Sequence, residues 1–231
     1  MALFNNSPIA SKSLRVLARL LSYPDAELRK HLVEMRDGLH SEQALSQSRL
    51  AGLDALINSL GHTAPLDVES NYVELFDRGH ATSLYLFEHV HGDSRDRGPA
   101  MIDLALTYEK ADLFLAEGEL PDFLPVVLEF ISTQPPCEAS AFLAEMTHIF
   151  NAIFAALQQR SSAYASVLEA LLELAGEKAQ PVQVAPEEPI DTVWEEPVVF
   201  DGCSSEGQAR PSQPQPINII RKDHLVQGER T

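Results

Sequence analysis

The sequence predicts an all-α protein, with a single compact bundle of about eight helices over residues 1–180 and a disordered tail over residues 181–231. Apolar residues recur three or four positions apart through most of the first 180 residues, which is typical of helices with one buried face. No alternating run of β-branched residues is long enough to indicate a strand. Near Gln180 the periodic apolar pattern gives way to prolines and acidic residues.

The first half of the bundle contains four predicted helices. The first ends at Tyr23-Pro24, because proline does not continue a helix, and the second opens at Pro24-Asp25. Gly61 is predicted to close the third helix, and Pro65 opens the fourth from a first-turn position. Their apolar stripes lie within residues 14–21, 28–35, 45–60 and 68–76.

Four further helices are predicted in the second half. Pro99 lies in the first turn of one, Pro121 begins the next, and Pro135-Pro136 stops it. The stripe that starts at Phe142 is the strongest in the chain. The four apolar stripes lie within residues 102–113, 124–131, 142–157 and 164–172.

The charge of the chain excludes two classes of partner. The 231 residues include 17 Lys+Arg and 34 Asp+Glu, a net charge of −17. Nucleic-acid binding needs a basic surface, and so does docking on an anionic membrane. Residues 1–180 contain 25 of the acidic and 13 of the basic residues, so the predicted bundle alone carries −12. This acidity suits a cationic partner.

The remaining composition predicts a soluble cytoplasmic protein. Only two cysteines occur, Cys137 and Cys203, and their spacing fits neither a disulfide framework nor a zinc site. The first residues lack the basic and apolar regions of a secretory signal. Residues 181–231 contain seven of the fifteen prolines and few large apolar side chains, too few to offset the entropy of ordering the chain.

Residues 76–101 interrupt the helical pattern with an aromatic, polar and glycine-containing segment. Glu88, His89 and His91 are possible metal ligands there, with Asp93 and Asp96 nearby. The two histidines, however, are not spaced as in a helical zinc-protease motif. The glycines do not match a phosphate-binding loop, and no nucleophile or acid–base arrangement indicates an enzyme.

Two stretches of the sequence carry a family resemblance. The first, residues 76–98, includes Phe-Asp-Arg-Gly and Leu-Phe-Glu-His-Val-His-Gly-Asp-Ser-Arg-Asp-Arg-Gly. It closely resembles the signature of the NarJ family, the delta-subunit assembly chaperones of membrane-bound respiratory nitrate reductase, within the TorD-like chaperones of molybdoenzymes. The second, Glu-Leu-Pro-Asp-Phe-Leu-Pro from Glu119, is similar to a family stretch in which histidine commonly stands at the position of Phe123. The resemblance spans roughly residues 13–175.

The resemblance implies an all-helical chaperone that is not an enzyme and has no cofactor of its own. Family members bind the N-terminal, leader-like segment of the catalytic (alpha) subunit of nitrate reductase in the cytoplasm. They hold that subunit until its iron–sulfur cluster and molybdenum cofactor are inserted. The resemblance leaves open whether the chaperone also contacts molybdenum cofactor delivery proteins. The alternatives are a chaperone of another molybdoenzyme and a metal-binding protein that uses Glu88, His89 and His91.

An apolar groove lined by aromatic residues and rimmed by acids would suit such a basic, amphipathic peptide. Several of the candidates have other interpretations: Tyr72 and Phe76 also fit a helical core, and Asp122 could stabilise a helix N-terminus. His89 and His91 could form hydrogen bonds within the loop. Glu129 is a further candidate rim acid. The predicted peptide-binding residues are Tyr72, Phe76, Asp77, Leu86, Phe87, Glu88, His89, Glu119, Asp122 and Phe123.

Overall fold

Eleven α-helices make up most of residues 10–92, 94–177 and 179, the part of the chain that the computed structural model describes. They are α1 Ser11–Leu21, α2 Ala26–Lys30, α3 Leu32–Glu42, α4 Gln47–His62, α5 Pro65–Tyr72, α6 Leu86–Val90, α7 Arg97–Lys110, α8 Leu124–Thr133, α9 Pro136–Glu145, α10 Thr147–Gln159 and α11 Ala165–Leu174. A π-helical turn, Val73–Asp77, continues α5, and a 3₁₀ turn, His80–Thr82, follows it. The all-α prediction is confirmed. The predicted tail, residues 181–231, lies outside the described residues.

The helices outnumber the prediction because two predicted helices are each divided and the interrupting segment contains α6. The second predicted helix breaks at His31 into α2 and α3. The Asp25 side chain caps α2 by accepting the N–H of Leu28 at 2.7 Å. The strongest stripe breaks at Met146 into α9 and α10. An apolar stripe that continues through a break gives no sign of it in the sequence.

Two predicted helix boundaries were wrong. Gly61 lies inside α4, which ends one residue later at His62. Pro121 does not begin a helix, since α8 starts at Leu124 with Pro125 in its first turn. The predicted stop at Pro135-Pro136 is confirmed, since α8 ends at Thr133, and Pro136 also opens α9. Proline suits the first turn of a helix and also the region just beyond one, so its position alone leaves both choices open.

The core contains the apolar faces of α1, α8, α10 and α11, with further buried residues from α3, α4 and α5. The most extensive packing joins α1 to α8 and α10 to α11, and α11 also contacts α4. Leu17, Leu128, Phe150 and Leu168 are fully buried at these contacts. In the described part of the chain no single helix is long and apolar enough to cross a membrane; α9 and α10, bent by 58°, meet the length and composition criteria only as a pair.

Candidate functional site

The two segments that carry the family resemblance are joined by a short antiparallel bridge between Tyr85 and Phe123. The N–H of Leu86 donates to the carbonyl of Asp122 at 3.0 Å, and the N–H of Leu124 donates to the carbonyl of Leu84 at 2.8 Å. The rings of Tyr85 and Phe123 lie 5.3 Å apart. The interrupting segment is therefore fixed to the start of α8.

Asp122 is fully buried beneath this bridge, with a relative exposure of 0%. Its Oδ2 accepts the N–H of Phe87 in α6 at 3.1 Å and lies 3.9 Å from the guanidinium of Arg97. Its Oδ1 has no hydrogen-bond partner among the described residues. Burial raises the pKa of the Asp122 carboxyl, and the Phe87 N–H and Arg97 only partly oppose this. The carboxylate thus accepts a hydrogen bond from the N-terminal turn of α6, which is distant in the sequence. It does not cap α8, the helix that follows Asp122 in the sequence.

The buried carboxyl predicts a pH-dependent effect of Asp122→Asn. An acid whose pKa is higher in the folded than in the unfolded state binds its proton more tightly when folded. The folded state therefore loses stability as pH rises from the unfolded-state pKa of Asp122 through its folded-state pKa. Asn keeps an oxygen for the Phe87 N–H but carries no charge, so the variant should gain stability relative to wild type across that window.

Urea unfolding of wild type and Asp122→Asn measures this difference in the free energy of unfolding. The measurements run from about pH 4 to about pH 7, within the range in which the native fold is retained. The exposed Asp67→Asn variant is the control, since Asp67 lies on the surface of α5. A difference between Asp122→Asn and wild type that stays constant with pH, or falls as pH rises, would contradict the expected shift.

The histidines of the interrupting segment serve local structure. His89 Nε2 lies 2.8 Å from the carbonyl of Ser83, so this nitrogen carries a proton and donates it. The His91 ring packs edge-on against Phe87, with centroids 5.3 Å apart. Glu88 lies 3.7 Å from Arg97. No group of three metal-ligating side chains comes together among the described residues, a set that omits Asp93, so this geometry lends the metal alternative no support.

Tyr72 and Phe76 form part of an aromatic cluster under α5. Both are buried, and the hydroxyl of Tyr72 donates to the carbonyl of Leu21 at 2.8 Å. The Phe76 ring lies 4.9 Å from that of Tyr72 and 5.1 Å from that of Tyr164. Leu86 is also buried. These three side chains fit the core alternative, because a peptide could contact their full surfaces only by displacing packed neighbours.

Two adjoining cavities lie along α5 and its π-helical turn, and we call them together the α5 surface. The first, about 270 Å³, is lined by residues that include Phe76, Asp77, Tyr85 and Glu88. The second, about 300 Å³, is lined by residues that include Tyr23, Leu66, Glu69 and Glu74. Arg78 lines both cavities and so marks where they meet.

The α5 surface combines exposed apolar groups with negative charge. Leu66 is 74% exposed and Tyr23 44% exposed. Burial raises the pKa of Tyr85, and the carboxylates of Asp77, Asp122 and Glu88 raise it further. A negative potential that disfavours the Tyr85 phenolate would favour a cation in the same place. The surface is therefore suited to a segment that has both apolar and basic side chains.

Sequence reasoning identified Phe76, Asp77 and Glu88 on this surface but missed most of its other residues. Leu66 is the missed residue that the sequence shows most plainly, because it lies off the stripe formed by Val68 and Tyr72. Tyr23 was treated only as a helix end. Glu69, Glu74 and Tyr85 are among the other missed residues.

The other predicted residues do not gather in one place. Glu119 lines a separate cavity of about 400 Å³, which we call the α8 groove, together with Glu129. Phe123 is half-buried in the bridge, whereas Phe87 and His89 are half-buried in α6. The ten predicted residues are thus divided among the α5 surface, the α8 groove, the bridge with α6, and the core.

Comparison with known proteins supports the resemblance. Residues 25–170 match the family model described as "Nitrate reductase delta subunit". The nitrate reductase molybdenum cofactor assembly chaperone NarJ of Escherichia coli K12 is 42% identical over 193 residues, covering 79% of this chain and 82% of that protein. NarW of the same strain, assigned to the same assembly role, is 38% identical, with coverages of 79% and 80%.

A solved structure gives the same fold. It is a putative redox enzyme maturation protein from Archaeoglobus fulgidus. Its TM-score to this chain is 0.53 at 20% sequence identity, and the match covers 72% of this chain and 94% of that protein's chain. At that identity the likeness concerns the fold alone. The family match covers more than half of the chain, and the NarJ match covers most of both proteins. The chain therefore belongs to the nitrate reductase delta subunit family.

Proposed function

We propose that this protein is an assembly chaperone of respiratory nitrate reductase. In the cytoplasm it binds the N-terminal, leader-like segment of the catalytic subunit and keeps that subunit competent to receive its iron–sulfur cluster and molybdenum cofactor. Binding is reversible and involves no covalent step. The names of the relatives, which describe assembly chaperones and not enzymes, support this role.

The α5 surface is the observation that carries the proposed binding mode. Burial of an exposed leucine such as Leu66 under a bound peptide is worth on the order of 1–3 kcal/mol. Glu69, Glu74, Asp77 and Glu88 line the same two cavities and can face the basic side chains of the peptide. An amphipathic leader with arginine or lysine on its polar side supplies both kinds of group.

The π-helical turn at Val73–Asp77 places two of these acids. The N–H of Arg78 donates to the carbonyl of Val73 at 3.3 Å, a bond that spans five residues. Such turns in helices are frequent at functional sites, and they shift the side chains that follow out of the helical register. Here the turn places Asp77 in the first cavity and Glu74 in the second, while Phe76 stays buried.

Calorimetry with a synthetic peptide of the catalytic subunit's N-terminus tests the proposal. We expect binding to the full-length chain and an affinity that falls several-fold between about 50 and about 300 mM salt, because Glu74 and Asp77 are exposed and their charges are screened by salt. A peptide with every Arg and Lys replaced by Gln should bind more weakly and lose that salt dependence. Absence of binding at every salt concentration would overturn the proposed function.

The same titration distinguishes this client from those of related chaperones. Leader peptides of other molybdoenzymes should bind at least about tenfold more weakly, a difference of ~1.4 kcal/mol. Tighter binding of one of those peptides would favour the alternative, a chaperone of another molybdoenzyme. Cofactor delivery proteins would then act on whichever catalytic subunit is held.

A further inference from the structure

We propose that Thr82 is a positioning residue of the α5 surface, because its hydroxyl fixes the π-helical turn and so holds the Asp77 carboxylate where it can meet a basic side chain of the peptide. The inference rests on the proposed function, since it assigns a buried residue to the placement of an acid that binds the peptide. Thr82 lies in the 3₁₀ turn and is fully buried. It lines neither cavity of the α5 surface, so any effect of Thr82 on the peptide must pass through other residues.

The Thr82 hydroxyl reaches a backbone carbonyl at the end of the helical segment. The last carbonyls of a helix have no partner within it and need one from elsewhere. The chain leaves the π-helical turn and is extended at Gly79, where φ is −103° and ψ is 106°. The hydroxyl of Thr82 donates to the carbonyl of Leu75, and Leu75 is itself buried. This hydrogen bond ties the 3₁₀ turn to the middle of the π-helical turn.

Gly79 leaves the space that this contact needs. A Cβ atom at Gly79 would lie 2.5 Å from the Thr82 hydroxyl oxygen and 2.9 Å from both terminal guanidinium nitrogens of Arg160. The φ of −103° is open to any residue, so space and not backbone conformation requires the glycine. The Thr82 hydroxyl lies 3.2 Å from the Gly79 carbonyl, which also accepts the Thr82 N–H at 3.1 Å. Because α10 packs against the 3₁₀ turn, the turn is held against a helix of the core.

The residues fixed in this way form one wall of the first cavity of the α5 surface. Asp77, Arg78, Gly79 and His80 are consecutive, and all four line that cavity. The side chains of Asp77 and His80 are exposed, so their own packing does little to fix the backbone that carries them. A carboxylate whose backbone is already in place binds a cation without the entropic cost of ordering that backbone. The buried hydroxyl of Thr82 supplies this order from beneath.

Calorimetry with the N-terminal peptide of the catalytic subunit and two Thr82 variants of the full-length chain tests the role. Thr82→Val keeps the size of the side chain but removes the hydroxyl, and it should weaken peptide binding at least about fivefold at low salt. Thr82→Ser keeps the hydroxyl but loses a buried methyl group, so it should lower the stability of the fold yet bind the peptide within about twofold of wild type. Equal affinities of the two folded variants would overturn the proposal, because a merely structural role depends on stability and not on the hydroxyl.

A double-mutant cycle tests whether Thr82 acts through Asp77. Thr82→Val should lower the affinity at least about fivefold in the wild-type background but less than about twofold when Asp77→Asn is already present, because the charge to be positioned is then gone. Equal losses in the two backgrounds would overturn the role of Thr82 while the chaperone function stands. Absence of peptide binding to wild type would instead overturn the proposed function, on which this role rests.

Gly79→Ala disturbs the same hydroxyl by another route, and it tests the proposal even if Thr82→Val does not fold. The added methyl group should displace the hydroxyl and weaken peptide binding about as much as Thr82→Val does. Gly98→Ala is the matched control, because Gly98 is exposed and a Cβ there would meet no described residue within 4 Å beyond its own helix and chain neighbours. This control should bind the peptide within about twofold of wild type. If Gly79→Ala binds the peptide as tightly as Gly98→Ala, the proposal is overturned.

Discussion

Replacing Phe76 with alanine should lower the free energy of unfolding by about 3–5 kcal/mol, the usual cost of removing a buried phenylalanine. Its ring packs between those of Tyr72 and Tyr164, at 4.9 and 5.1 Å, and neighbours as large as these cannot easily fill the space left behind. Phe76 was also a candidate for direct peptide contact. A role in the core predicts that the substitution lowers the free energy of unfolding, whereas a role in direct contact predicts that it lowers the affinity for the peptide.

Leu66→Ala is the matched comparison, since Leu66 is apolar and on the same helical segment but mostly exposed. It should change the free energy of unfolding by less than about 0.5 kcal/mol. It should also lower the affinity for the N-terminal peptide about five- to tenfold, since an apolar contact is lost. Chemical denaturation and calorimetry measure the two quantities. If Phe76→Leu keeps its stability but loses the peptide, Phe76 contacts the peptide directly and our assignment of it to the core is incomplete.

The fold was largely predictable because helix faces are a local property of the sequence. The stripes around Leu17, Leu128 and Leu168 all lie in the observed core. The breaks at His31 and Met146 were not predictable, since the apolar stripe continues past each of them. The halves of the second broken helix differ in their main neighbours, since α9 packs on α8 and α10 packs mainly on α11. A local pattern does not contain that information.

The candidate site was less predictable because it depends on contacts between distant residues. Asp122 and Phe87 are adjacent in space through the bridge, yet nothing in the spacing of the two segments specifies that pairing. The resemblance indicated which segments matter but not that Glu119 would line a different cavity from Glu88. Leu66 could have been found, since an apolar residue off the buried stripe is visible in the sequence.

The bridge brings together the two segments that carry the resemblance. Tyr85 lines the α5 surface, and its partner Phe123 stands at the start of α8, whose later residues line the α8 groove. A change in the position of the bridge would therefore alter both cavities. Phe123, at the place where histidine is common, packs on Tyr85 with ring planes tilted by 34°. It can stabilise the bridge as an aromatic contact without supplying an imidazole.

The double charge reversal Glu74→Lys/Asp77→Lys should weaken binding of the N-terminal peptide at least about tenfold at low salt, a loss of ~1.4 kcal/mol in binding free energy. Both carboxylates are exposed, and they line the two halves of the α5 surface. Each reversal replaces an attraction to a basic side chain with a repulsion. Because neither group is buried, the free energy of unfolding should change little, and calorimetry of the folded variant measures affinity alone.

Glu138→Lys/Glu145→Lys supplies the control, because it changes the net charge by the same amount at two exposed positions on α9. If the position of the acids matters, this control should lose less than about twofold in affinity for the peptide. The difference in affinity between the two variants should narrow as the salt concentration approaches about 300 mM. Equal losses would mean that the net charge of −17 attracts the peptide without a defined site. A tenfold difference that persists at high salt would instead indicate close, desolvated ion pairs on the α5 surface, since screening acts mainly on charges that remain in water.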